Sequence, residues 1–131
     1  MKSLLLFVTL LCAVVLTSTS FAVDKSPAVR KQKATAHFNE PVVLQGVTLQ
    51  GEYLFVHDDA AMARGEACSR VYKGNTEIAS KLVVEFHCVP MNRAKSDYFV
   101  VRTRQRKDGV IELTEFQFEG DTEAHGTPAF K

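Results

Sequence analysis

The chain has 131 residues, with 16 lysines and arginines against 15 aspartates and glutamates, so its formal net charge is only +1. A nearly neutral chain has no overall positive field to hold nucleic acid or an acidic membrane surface, and we predict neither as a partner. Its length suits one domain with a modest core.

The first 22 residues have the pattern of a secretory signal peptide. Lys2 gives a positive start, residues 4–16 carry no charge, and Ser20-Phe21-Ala22 puts small residues three and one positions before a cleavage site after Ala22. The apolar run is shorter than the about 20 residues that a membrane span needs. We therefore predict an exported protein, periplasmic or extracellular, that does not span the membrane once the leader is removed.

The remaining chain divides by composition into three parts. Residues 23–33 are charged, contain Pro27 and show little periodicity, which indicates a flexible lead-in. Residues 34–120 are rich in β-branched and aromatic residues between glycine-marked turns, which is typical of strands. Residues 121–131 form a polar C-terminal tail. The predicted fold class is all-β, a single antiparallel β-sandwich or flattened barrel of six to seven strands.

Two local signals refine this fold. Residues 59–64 form the only helix candidate, because Asp58 or Asp59 can cap its start and Gly65 can end it. Asp108-Gly109 joins two alternating runs and predicts a hairpin.

The segment from His37 to Asp58 carries three short motifs, which are Phe38-Asn39-Glu40-Pro41-Val42, Gly46-Val47-Thr48-Leu49 and Gly51-Glu52-Tyr53-Leu54-Phe55-Val56. It resembles a group of small uncharacterised exported β-sandwich-like proteins of environmental bacteria, whose first hairpin has a similar pattern. The resemblance implies a sandwich-like fold and carries over no functional site.

Cys68 and Cys88 are the only cysteines after the leader, and export would place them where disulfides persist. We predict one disulfide between them, which would stabilise the fold by about 3 kcal/mol. A tight, straight hairpin at Gly74-Asn75 would separate Cys88 from the partner of Cys68 by about 23 Å, too far for a disulfide. The bond therefore needs a break near Ala79-Ser80 or a wider turn, for example one centred on Ile78. The alternative is two free thiols.

His57, His87 and Met91, together with Cys88, supply the ligand types of a mononuclear copper site. Two observations speak against that site. Neighbouring residues of a strand point to opposite faces, so His87 and Cys88 do not readily bind one ion, and a disulfide would consume Cys88. We predict no metal and no other cofactor, and name His57, His87 and Met91 as the candidates if a metal binds.

Catalytic motifs are weak throughout the chain. His57-Asp58-Asp59 offers an imidazole and two carboxylates for acid–base chemistry or calcium binding, but helix capping accounts for the aspartates more simply. The chain contains no Gly-x-Ser-x-Gly elbow for a serine nucleophile. Cys88 as a nucleophile would need a free thiol and a nearby base. We do not predict an enzyme.

Arg102, Arg104 and Arg106 alternate along one strand and share a face. They are candidates for binding an anionic ligand such as a phosphate, an acidic glycan or lipid headgroups. Glu112 and Glu115 on the facing strand would neutralise part of this charge. A three-residue turn pairs Arg104 with Glu112, and a two-residue turn pairs Arg102 with Glu115.

These features favour a non-catalytic exported module that binds an envelope component or an anionic ligand, or that has a structural role in the envelope. The first alternative is a small metal-binding or redox protein with His, Cys and Met ligands. The second is a hydrolytic enzyme. The sequence identifies neither the partner nor the oligomeric state.

Overall fold

The computed structural model describes residues 29–130, and the predicted signal peptide (1–22) lies outside this range. The strands are β1 (Lys31–Leu44), β2 (Val47–Asp58), β3 (Ser69–Lys73), β4 (Leu82–Phe86), β5 (Val89–Asn92), β6 (Val100–Gln105), β7 (Ile111–Gln117) and β8 (Glu123–Gly126). A helix α1 spans Asp59–Ala63, and a 3-10 turn spans Ala79–Lys81. Within residues 29–130, no helix is long and apolar enough to cross a membrane.

The strands form one sheet in the order β4-β3-β2-β1-β7-β8-β5, with β6 also paired to β7. The pairs are antiparallel except for β1 and β7, which run parallel at Val43 and Glu112. The all-β prediction is confirmed. The predicted antiparallel sandwich or flattened barrel is replaced by a single mixed sheet that curls into an open half-barrel. Alternating side chains specify a buried face, but they do not specify whether a second sheet or the same curled sheet covers it.

The curl follows from the short link between the two edge strands. β4 and β5 lie at opposite ends of the strand order, yet only His87 and Cys88 separate them in sequence. Three Cα–Cα steps of about 3.8 Å span at most about 11 Å from Phe86 to Val89. The sheet must therefore curl enough to bring the end of β4 near the start of β5, although these two strands do not pair. We call the region around the connecting residues His87 and Cys88 the seam.

The long hairpin of β1 and β2 forms most of one wall. Gln45 and Gly46 connect the strands with φ values of 50° and 77°, as a two-residue turn with two positive φ angles requires. The register shifts between Phe38 and Val42. Pro41 lies inside this irregularity, where its missing N–H breaks no regular strand ladder.

An aromatic core fills the inside of the curled sheet. Phe55 and Phe116 are fully buried with ring centroids 5.2 Å apart, and Phe99 and Phe118 pack against Phe116 at 6.2 and 5.7 Å. The core also contains the buried residues Val42, Leu44, Leu49, Tyr53, Val71, Val84, Phe86 and Leu113. At the seam this core ends on His125, whose ring lies 5.2 Å from that of Phe116.

Both predicted limits of the β domain move outwards. β1 begins at Lys31, inside the predicted lead-in, of which residues 23–28 lie outside the described range. The predicted polar tail contributes β8, which pairs with β7 and β5 and buries Ala124 and His125 completely. Composition misplaced this boundary because the buried positions of β8 carry a small residue and a histidine instead of large apolar side chains.

The connection between β3 and β4 is a wide turn, which is the arrangement that lets Cys68 and Cys88 approach each other. Ser69 faces Phe86 and Arg70 faces Glu85, so residues 74–81, which include the 3-10 turn, form a broad link. A tight hairpin at Gly74-Asn75 does not form.

Candidate metal centre

Four polar side chains are brought together at the seam by different parts of the fold. His57 lies near the end of β2, and Ser69 faces it at the start of β3. Cys88 lies in the link between β4 and β5, and His125 comes from β8. His57, Ser69 and His125 are each at most 1% exposed. Residues that are far apart in sequence therefore meet in a buried site.

Cys88 lies between the two imidazoles. Its Sγ is 3.5 Å from Nε2 of His57 and 3.5 Å from Nδ1 of His125. The two rings stack with centroids 4.0 Å apart and an interplanar angle of 27°. The three potential ligand atoms all lie within 4.8 Å of one another.

These distances suit a metal ion. A tetrahedral ion with metal–nitrogen bonds of about 2.0–2.1 Å and a metal–sulfur bond of about 2.3 Å places nitrogen and sulfur ligands about 3.6 Å apart. Both N···S distances at Cys88 are close to this value. We name His57, Cys88 and His125 the His/Cys/His cluster.

A carboxylate lies behind His57. Asp59 Oδ1 is 3.3 Å from Nδ1 of His57, the ring nitrogen that does not contact Cys88, whereas Glu123 Oε1 is 4.0 Å from Nδ1 of His125, the same nitrogen that approaches Cys88. Asp59 is itself held by the backbone N–H of Arg30, which donates to Oδ2 at 3.0 Å. A carboxylate behind a histidine is the usual means of orienting a metal-binding imidazole, so Asp59 is the candidate for that role towards His57.

Helix α1 places Asp59. The side chain of Asp58 accepts hydrogen bonds from the backbone N–H groups of Ala60 and Ala61 at 3.0 and 3.2 Å, which is the geometry of an N-cap. The helix predicted near residues 59–64 thus holds Asp59, the residue after the cap, beside His57.

Burial keeps the cluster uncharged at neutral pH. It lowers the pKa of His57, and it lowers the pKa of His125 to about 4, with the charge of His57 acting in the same direction. Burial also raises the pKa of Cys88 to about 12, and the hydrogen bond with Cys68 adds to this effect. Neutral imidazole is the form of histidine that binds metals, and the Cys88 thiol retains its proton until something replaces it.

Cys68 adjoins the cluster through Cys88. The two sulfur atoms lie 3.2 Å apart and both thiols are free, whereas a disulfide bond is about 2.05 Å long. The disulfide predicted from the sequence is thus not formed in this structure, although the two thiols meet. Whether it forms under oxidising conditions stays a prediction.

Buried polar atoms without a partner concentrate at this site. Of the four such side-chain atoms in residues 29–130, three belong to the seam, namely His57 Nδ1, Ser69 Oγ and His125 Nε2. The contact of His57 Nδ1 with Asp59 is close but not aligned for a hydrogen bond. Unpaired buried polar groups are uncommon in native proteins, so their concentration at the seam calls for an explanation.

The structure divides the metal candidates named from the sequence. His57 is in the cluster, whereas His87 is exposed and Met91 lies half-buried on β5. The sulfur of Met91 instead accepts a hydrogen bond from Arg93 at 3.9 Å. His125 was missed because it lies in the segment read as a tail. The Gly120-Asp121 pair, a turn signal directly after β7, could have indicated a returning strand.

The three alternating arginines all have carboxylate partners. Arg102 contacts Glu115, Arg104 contacts Glu112 and Arg106 contacts Asp108, each at 2.9 Å. A bulge between Arg102 and Thr103 accommodates both registers considered for this hairpin. An external anion would have to compete with these carboxylates, and anion binding at this strand stays a prediction.

Comparisons of the chain with protein-family models, curated proteins and solved structures find no match. The functional interpretation therefore depends on the chemistry and geometry of the seam.

Proposed function

We propose that this protein is a non-catalytic, exported protein that binds one transition-metal ion through His57, Cys88 and His125. The observation that carries this proposal is the position of one thiol sulfur at 3.5 Å from two separate imidazole nitrogens in a buried site. Burying three such polar groups together is unfavourable unless they gain strong partners, and a metal ion would supply bonds to all three at once.

The donor set favours a borderline or soft ion. Thiolate and imidazole suit Zn(II) and copper, whereas Mg(II) and Ca(II) prefer oxygen ligands. Two nitrogens and one sulfur also leave a fourth position for a tetrahedral ion. Zn(II) or a copper ion is therefore the expected ligand.

Thiol catalysis is the competing interpretation, because Cys88, His57 and Asp59 follow the order of a nucleophile, a base and an orienting carboxylate. One observation favours the metal site. His125 approaches the sulfur as closely as His57 does, and it has no part in such a triad.

The test is metal titration of the reduced protein. Calorimetry with Zn(II) should give one ion bound per chain, and Co(II) should add a sulfur-to-metal charge-transfer band that reports Cys88 as a ligand. His57→Gln, His125→Gln and Cys88→Ser should each weaken Zn(II) binding by more than about 100-fold, the upper limit for losing a merely supporting residue.

Two exposed histidines provide matched controls. His37→Gln on β1 and His87→Gln beside Cys88 remove an imidazole without touching the cluster, and the Zn(II) affinity should not change. Far-UV circular dichroism and thermal unfolding verify that each variant is folded. The proposal is wrong if the reduced protein binds no ion, or if the control variants lose as much affinity as the cluster variants. Rapid alkylation of Cys88 at neutral pH that His57→Gln abolishes would favour thiol catalysis instead.

The export component of the proposal rests on the signal-peptide pattern of residues 1–22. Cell fractionation with an antibody to the mature domain tests it. Recovery of a shortened chain outside the cytoplasm is expected, and a full-length cytoplasmic chain would contradict export.

A further inference from the structure

The sulfur of Cys88 has two possible bonding partners, a metal ion and the sulfur of Cys68. It belongs to the His/Cys/His cluster, and it also lies 3.2 Å from the sulfur of Cys68. This distance is about 1.2 Å longer than a disulfide bond. It is also about 0.6 Å shorter than the separation of two thiolates on one tetrahedral zinc ion with bonds of about 2.3 Å. The distance therefore fits a pair poised for bond formation better than two ligands of one ion.

The surroundings of Cys68 hold it in this position. Cys68 is 1% exposed, and its sulfur accepts the backbone N–H of Cys88 at 3.4 Å. It also donates to the carbonyl of Phe86 at 4.0 Å. Cys68 is not among the three residues whose ligand atoms group within 4.8 Å. The hydrogen bonds of Cys68 are thus with Cys88 and with Phe86 at the end of β4.

We propose that Cys68 and Cys88 form a thiol–disulfide gate on the metal site, which rests on the proposed function of the cluster. In the reduced state Cys88 binds the metal ion and Cys68 does not. In the oxidised state the Sγ–Sγ bond occupies Cys88, and His57 and His125 alone hold the ion weakly.

The oxidation is a two-electron thiol–disulfide exchange. In the metal-free protein, the sulfur of Cys88, the more exposed of the two, attacks a small-molecule disulfide RSSR, and one RSH leaves with the proton of Cys88. The sulfur of Cys68 then attacks the mixed disulfide at Cys88, and the second RSH leaves with the proton of Cys68. The protein dithiol is oxidised by two electrons, and RSSR is reduced to two RSH.

The experiment compares Zn(II) binding by reduced and oxidised protein. Diamide serves as the oxidant because it takes two electrons and two protons from a dithiol and leaves no group attached. Intact-mass spectrometry should show the loss of two hydrogens. The oxidised protein should bind Zn(II) more than about 100-fold more weakly than the reduced protein, beyond the effect of losing a supporting contact, and a reducing agent should restore the affinity.

Cys68→Ser separates the gate from the ligands. This variant should bind Zn(II) as tightly as the reduced wild type, and diamide should not change that affinity. Cys88→Ser should bind weakly under both conditions. The two variants therefore test whether Cys68 acts only in the gate and whether Cys88 acts both in the gate and as a metal ligand.

Three outcomes would overturn the gate. The first is oxidised protein, verified by mass, that still binds Zn(II) tightly, and the second is failure of the disulfide to form. The third is folded, reduced Cys68→Ser that no longer binds Zn(II), since Cys68 would then be a ligand. Reduced wild type that binds no metal would instead refute the proposed function itself, so the two failures are distinguishable.

Discussion

Two buried polar regions lie on opposite sides of the β7–β8 pair, and they differ in how well their groups are paired. In the first, Glu115 accepts two hydrogen bonds from Arg93, at 2.9 and 2.8 Å, and one from Arg102 at 2.9 Å. Gln117 donates to the carbonyls of Ala94 and Asp121 and accepts from Arg102. We call Arg93, Arg102, Glu115 and Gln117 the paired network.

The two histidines of the His/Cys/His cluster are at least as buried, but His57 Nδ1 and His125 Nε2 have no partners. A satisfied network holds a structure together, whereas a half-satisfied one is a poor way to stabilise a fold. The comparison therefore favours a structural role for the paired network and supports the proposed ligand-binding role of the cluster. Substitutions in the first should change stability, and substitutions in the second should change binding.

The largest expected effect is in the paired network. Glu115→Ala should lower the free energy of unfolding by about 3 kcal/mol, because it leaves two arginines without their shared, almost fully buried carboxylate. The low end of the usual range applies since both arginines are 38% exposed. Urea denaturation measures the change. Glu112→Ala removes the more exposed pair with Arg104 and should cost at most about 1 kcal/mol; equal costs would erase the distinction.

The same carboxylate sets an acid limit to stability. The hydrogen bonds from Arg93 hold the pKa of Glu115 below its ordinary value of 4.5. A lowered folded-state pKa stabilises the fold fully above the unfolded value, and this contribution disappears as the pH falls through the folded value. Urea midpoints from pH 7 down to pH 2 should therefore fall less steeply below 4.5 in Glu115→Ala than in the wild type. Parallel curves would contradict this assignment.

The next largest effect is the stabilisation of the folded protein by Zn(II) bound at the cluster. Free Zn(II) at about 100 times its dissociation constant should stabilise the reduced protein by about 2.7 kcal/mol, because the ion binds the folded state. Thermal unfolding with and without Zn(II) measures the shift. His125→Gln should lose the shift, while Glu115→Ala should keep it. A shift that survives His125→Gln would place the ion elsewhere.

Gln117→Leu should have a smaller effect, about 2 kcal/mol, because it leaves the carbonyls of Ala94 and Asp121 without their donor. Gln117 is fully buried, and Leu has a similar size, so lost hydrogen bonds dominate the change. Urea denaturation measures the cost, and Zn(II) affinity should be unaffected. Full stability in this variant would show that the network is dispensable.

The sequence predicted the features that depend on neighbouring residues. Alternation predicted most of the strands, and Asp108-Gly109 predicted the β6–β7 hairpin. The Asp58-Asp59 pair predicted a helix start, and Asp58 is the residue that caps α1. In each case a turn or cap residue interacts with backbone only a few positions away, so the signal is contained in a short window.

The candidate site depends on contacts that no short window contains. His57 and Cys88 are 31 residues apart, and Cys88 and His125 are 37 apart. They meet because the curled sheet brings the end of β4 near the start of β5 at the seam, which is a property of the strand order. The sequence singled out His57 but paired it with His87 and Met91, which are close to Cys88 in sequence. The same limitation applies to the β6–β7 bulge, which allows Arg102 and Arg104 to follow different registers.

The smallest effect is expected where a structural residue borders the cluster. Asp58→Ala removes the cap of α1 and should lower the free energy of unfolding by about 1 kcal/mol. It should also weaken Zn(II) binding slightly, because α1 holds Asp59 at 3.3 Å from His57. Asp108→Ala is the matched control, since Asp108 accepts a comparable hydrogen bond from Val110 in a turn that does not contact the cluster. If both variants alter Zn(II) binding equally, the capped helix does not position Asp59. His57 would then be oriented by ring stacking with His125 alone.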